Sequence, residues 1–136
     1  MSEIDYGDSI YTVREDITSS HRRAWDRLSR AGTWLTGEER VKVMRETRHA
    51  QESATCVRIK ESLSPFLATD PRDAATDLPA NWVTMIQLIV ADPGRLTHSW
   101  YKSTLKGGIT ETQFVEIVSV IAHTTAIDTF AKGIGV

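Results

Sequence analysis

TETQFVEIVSVIAHTTAIDTFA, residues 110–131, reads as one long helix and sets the class of the fold. Thr110 followed by Gln113 has the capping-box spacing, in which each side chain satisfies a backbone N–H of the opening turn. Phe114, Val115, Ile117, Val118, Val120, Ile121, Ala122, Ala126, Ile127 and Phe130 make the segment apolar around more than half its circumference. Such a helix is central in a core or shared with a partner subunit. Upstream, Gly107-Gly108 closes a helix that follows Gly94 and carries Leu96, Trp100 and Leu105. Before that, Asp77 is expected to cap a helix with Pro79 near its first turn and Trp82, Ile86, Ile89 and Val90 along one face up to Pro93. Thr36-Gly-Glu-Glu39 repeats the capping-box spacing and opens a helix carried by Val41, Met44, Val57, Ile59 and Leu63 to Pro65, with or without a break. A first helix is expected from about Thr18 to Ala31, with Ser19 or Ser20 as N-cap, Ala24, Leu28 and Ala31 facing inward, and Gly32 as terminator. No strand pattern competes, so the expected class is all-α, a single-domain bundle of about five helices.

Two stretches stand outside the helical pattern. Residues 1–17 form an acidic arm with a short extended piece expected near Ile10 to Val13, ahead of a helical domain over 18–136. Thr69 to Asp77 is polar, holds Pro71 and lacks periodicity, a loop of the length that often lies over a site.

The chain has 136 residues, enough for one domain, and a net charge of −2 that implies neither a polyanionic nor a polycationic partner. Charge is unevenly spread, −4 over residues 1–17, +5 over 18–60 and −3 over 61–136. Arg23, Arg27 and Arg30 make a helical stripe, with Arg45 and Arg48 further on, but acids are interleaved and no aromatic stacking positions accompany it. The expected reading is a solvated face covered by the acidic arm, without nucleic-acid binding. Glu3, Asp5 and Asp8 with no Lys or Arg near the start argue against a signal peptide. The longest uninterrupted apolar run, Leu88 to Ala91, is far short of a bilayer span. A soluble, cytoplasmic protein without membrane association is expected.

Cys56 is the single cysteine, so one chain can form no disulfide, multi-thiolate zinc site or two-cysteine redox pair. His49, Ser53, Cys56 and Lys60 are spaced four, three and four apart, which places them on one helical face. A thiol with an ordinary pKa of about 8.5 is only about 3 % thiolate at pH 7. Lys60 one turn away is worth about 0.2–0.5 kcal/mol. If a fresh helix begins at Ser53, with Ser53 as its cap, Cys56 falls in its first turn and the backbone amides favour the thiolate further. The alternative is a small buried hydrophobe. Glu46-Thr-Arg-His49 is a Glu-x-x-His pair, but His21, His98 and His123 lack a Glu three residues earlier, so a di-iron centre is not supplied and Glu46 and His49 are expected at the surface. Glu116 and His123 share a face of the last helix, where a satisfied buried histidine is expected. No cofactor and no metal site is expected.

The segments LTGEERVKVMRETRHAQESATCVRIKESLSP (35–65), LPANWVTMIQLIVADPGRLTHSWY (78–101) and GITETQFVEIVSVIAHTTAIDTFAKGIG (108–135) resemble the alkylhydroperoxidase D-like, carboxymuconolactone decarboxylase superfamily, in particular its peroxidase-related branch. The resemblance covers roughly residues 25–136 and implies an all-helical subunit that associates into a homo-oligomer, a dimer, trimer or hexamer. Peroxidase members of the family reduce hydroperoxides with a Cys-x-x-Cys pair, a histidine four residues beyond it and a glutamate about twelve before it. In that register Ser53 stands at the first cysteine, Cys56 at the second, Lys60 at the histidine and Val41 at the glutamate. The resemblance thus implies at most a one-cysteine peroxidase or oxidoreductase cycle on Cys56, with hydroperoxide substrate, an external thiol reductant, Lys60 favouring the thiolate and His49 as base. A catalytically inactive oligomer that binds a small apolar ligand or a protein partner is the alternative.

Overall fold

A computed structural model describes residues 3–136. Among them are six α-helices: α1 (Glu15–Leu28), α2 (Gly37–Glu52), α3 (Ala54–Glu61), α4 (Ala80–Ala91), α5 (His98–Lys106) and α6 (Glu111–Gly133). Two short 3-10 turns, Pro65–Ala68 and Pro93–Arg95, flank α4 in the chain, and no described residue lies in a strand. The class is therefore all-α. The sixth helix arises because the segment from Thr36 to Pro65 breaks at Ser53.

The expected capping boxes form. Thr36 accepts from the Glu39 N–H while Glu39 accepts from the Thr36 N–H, and Thr110 and Gln113 do the same at α6. Two other starts differ from expectation. The first helix begins at Glu15 after Arg14, with no side-chain cap, because Glu15 and Asp16 in the first turn complement the helix dipole in place of Ser19 or Ser20. α4 begins after Pro79 without a side-chain cap, because Asp77 is drawn to Lys42 Nζ at 2.7 Å. Ile10 and Tyr11 lie in a bend, and Thr12 and Val13 belong to no helix or strand.

α2, α4 and α6 pack on one another, with α1 against α6 and α3 against α4. Val43, Met44, Ile86, Ile117, Val120 and Ile121 lie at the centre, so one face of α6 is used in the core, while Val115, Ala122 and Ala126 on the same helix are exposed. Ile4 and Tyr6 from the arm are buried in that core, and Ser9 Oγ donates to Ile134 O, tying the two chain ends together. α6 is long and apolar enough to cross a membrane by length and composition, yet it carries Glu116 and Asp128 and forms the middle of the bundle.

Several inward assignments are reversed. Ala31, Val57 and Leu63 are exposed, Leu63 completely, while Trp25, absent from the expected face of α1, is buried. Gly32 does not end the helix, which stops at Leu28. A Cβ there would stand 1.8 Å from Glu116 Oε1 and 2.8 Å from an Arg40 guanidinium nitrogen, so a larger residue would have to displace the ends of those two side chains. The stripe of Arg23, Arg27 and Arg30 is exposed, as a solvated face requires, and so is Arg45; Arg48 instead reaches Asp128 with two hydrogen bonds, 3.1 and 2.9 Å, and stacks over the Trp25 ring at 4.4 Å. The arm meets Arg22, which donates to Ile4 O at 2.7 Å.

Candidate functional site

The break between α2 and α3 is a local consequence of Ser53. Its backbone is extended (φ −79°, ψ 152°), so it cannot continue α2, and its Oγ accepts from the Cys56 N–H at 3.2 Å, opening α3. Cys56 therefore stands in the first turn of a fresh helix. Its side chain is 4 % exposed and packs with Ile59, Leu88 and Ala91, with Trp100 and Leu96 behind them.

Two influences act on the thiol in opposite directions. Burial pushes it up, by disfavouring the anion, and Lys60, exposed at the next turn, pulls it down by the smaller amount. The net displacement is upward. The Cys56 N–H, which would otherwise favour an anion at the helix start, is already given to Ser53. The thiol is thus protonated at neutral pH and closed to bulk solvent.

His49, in the last turn of α2, does not serve Cys56. Its Nε2 lies 2.7 Å from Asp73 Oδ1, while the Thr55 hydroxyl donates to Asp73 Oδ2 at 2.6 Å and Arg58 donates to Thr55 Oγ1 at 2.8 Å. Among the described residues no hydrogen bond joins His49 to Cys56. The Thr55 hydroxyl and, after it, His49 hold the Asp73 carboxyl below the usual carboxylate range. Thr55 is fully buried with its proton and a lone pair both engaged, which leaves it no role as a nucleophile.

The same segment is tied down twice more. Glu46 is buried rather than at the surface, and accepts from the Ala75 N–H at 2.9 Å and the Thr76 hydroxyl at 2.5 Å. Gln87 exchanges hydrogen bonds with Asp70 at 2.6 and 3.0 Å. The polar loop of residues 69–79 thus lies over the α2–α3 break, held by Glu46, His49, Thr55 and Gln87. Neither Asp73, Thr55 nor Gln87 stood out in the sequence; Asp73 carries only the signal of an acid in a long polar loop.

Elsewhere, His123 is exposed rather than buried and bonds Ser119 O within its own helix at 2.7 Å. Glu116 faces the Gly32–Trp34 turn, with one carboxylate oxygen buried and unpartnered. Among the described residues no group of three or more His, Cys, Asp or Glu is placed to hold a metal ion. Comparison with family models, curated proteins and solved structures yields no significant match to this chain.

Proposed function

We propose that this chain is a cytoplasmic, self-associating subunit of the alkylhydroperoxidase D-like type that runs no peroxidase cycle and acts by binding, taking a small apolar ligand within the subunit. The observation that carries this reading is the state of Cys56: shut away from solvent, pushed toward the thiol form, and, among the described residues, joined to no base by a hydrogen bond, His49 pairing with Asp73 instead. Ser53 in place of a second thiol supports the same conclusion, since no resolving partner exists within the chain. Exposed Val57, Leu63, Phe66 and Leu67 around α3 and the following turn support association into a dimer, trimer or hexamer. A hydroperoxide assay with a small thiol as reductant tests the reading. Turnover indistinguishable between wild type and Cys56→Ser, at the uncatalysed rate, is expected; Cys56-dependent turnover contradicts it.

The second reading is a one-cysteine peroxidase, favoured by the placement of Cys56 in the first turn of α3 with Lys60 one turn on. In that cycle the Cys56 thiolate attacks the outer oxygen of ROOH, the O–O bond breaks, and ROH leaves with a proton while Cys56 becomes a sulfenic acid. One external thiol condenses with it, releasing water and forming a mixed disulfide, and a second thiol returns Cys56 to its reduced form as the external disulfide departs.

A further inference from the structure

The cleft bounded by the Pro65–Ala68 turn, α4 and α5 has a volume of about 260 Å³ and a chemistry unlike the others. Its floor and walls are Met85, Leu88 and Trp100, with Phe66 at the mouth, and no charged side chain lines it. The clefts along the arm and beside His49 all carry Asp, Glu, Arg or Lys. An apolar cavity of about 150 Å³ already accepts benzene, so the space here accommodates a substituted ring. Met85 adds an adaptable, polarizable surface against such a ring.

The rim is polar and richer in acceptors than donors: Asn81 Nδ2 gives one N–H to Gly107 O at 3.1 Å and keeps the other. Thr84 Oγ1 donates to Asn81 O at 3.1 Å, while Ser103 Oγ and Thr104 Oγ1 both donate to Trp100 O, at 2.8 and 3.0 Å. Thr69 Oγ1 likewise donates to Phe66 O. All four hydroxyl protons are spent on backbone carbonyls, so the hydroxyls offer the cleft lone pairs and no donor. An occupant gains by bringing its own donor. An anion gains nothing from these hydroxyls, finds only the remaining Asn81 N–H, and loses its hydration without a cation to replace it.

We propose that this cleft is a binding site for a small neutral aromatic molecule that carries a hydroxyl or N–H donor, with the ring on Met85, Leu88 and Trp100 and the donor directed to the Thr84, Ser103 and Thr104 oxygens. The proposal rests on the ligand-binding reading above and gives that ligand a place and a class. Titration of the full chain with phenol, toluene and benzoate at pH 7, followed by amide chemical shifts, tests it. Saturable binding of phenol is expected, about tenfold weaker binding of toluene for want of one hydrogen bond, and none of benzoate. Thr104→Phe and Ser103→Trp, each shown to be folded by circular dichroism, fill the cleft from its exposed side and are expected to weaken phenol binding at least tenfold. Phenol binding unchanged in both variants, or toluene or benzoate binding as tightly as phenol, overturns the proposal. Absence of phenol binding in a protein without Cys56-dependent peroxide turnover overturns the site alone, whereas such turnover overturns the reading on which it rests.

Discussion

His49 and Thr55 lie on opposite sides of the helix break and meet on one carboxylate, Asp73, at 2.7 and 2.6 Å. The carboxylate form is therefore worth more in the folded chain than in the unfolded one. Because the folded Asp73 sits below its ordinary value of 3.8, its contribution is fully present above about pH 4 and is lost as the pH falls through the lower, folded value. Asp73→Asn is expected to destabilise the protein by about 1–2 kcal/mol at pH 7, the partial exposure of the His49–Asp73 pair limiting the effect. Denaturant unfolding of wild type and variant from pH 7 downward is expected to show that difference shrinking below about pH 4; a constant difference contradicts the assignment. This node was hidden in the sequence for a plain reason. Spacing arithmetic finds neighbours on one helix, and by that arithmetic His49 faces Cys56, but a loop carboxylate twenty-four positions downstream offers the imidazole a charged partner that the buried thiol cannot match.

Ser53 ends one helix and begins the next, and the boundary depends on a single hydroxyl whose acceptance of the Cys56 N–H replaces a helical hydrogen bond. Ser53→Ala is expected to cost about 1 kcal/mol and Ser53→Gly less, measured by thermal or denaturant unfolding. Equal stability of Ser53→Ala and wild type would show that the hydroxyl does not set the break. Helix starts of this kind were legible wherever a side chain makes them: Thr36 and Thr110 form the boxes their spacing announces. They were illegible where tertiary pairing diverts the cap, as Lys42 diverts Asp77, or where none is used, as at Arg14. The buried position of Glu46 was likewise not readable from its helix, because its partners are the backbone of Ala75 and the hydroxyl of Thr76 in a loop without periodic pattern.

For the molecule as a whole, the apolar breadth of α6 marked it as either central in the core or shared with a partner subunit, and Ile117, Val120 and Ile121 do occupy the core while Val115 is exposed. The exposure of Val57 and Leu63 was not readable, because both fit a continuous helical apolar pattern, whereas α3 starts afresh at Ser53 and ends before the extended Ser62, which leaves Leu63 outside it. The break also separates the two halves of what one continuous helix would have joined, setting the Cys56 thiol into its own small cluster with Ile59, Leu88 and Ala91 while His49 stays with the loop. The functional reading depends on that separation leaving the thiol unactivated. The rate of iodoacetamide alkylation of the native protein, followed from pH 6 to 10, tests this most directly. The account predicts slow alkylation with a midpoint above the value of about 8.5 for a free cysteine, rising to the free rate only on unfolding. Rapid alkylation of the folded chain with a midpoint well below that value would contradict it.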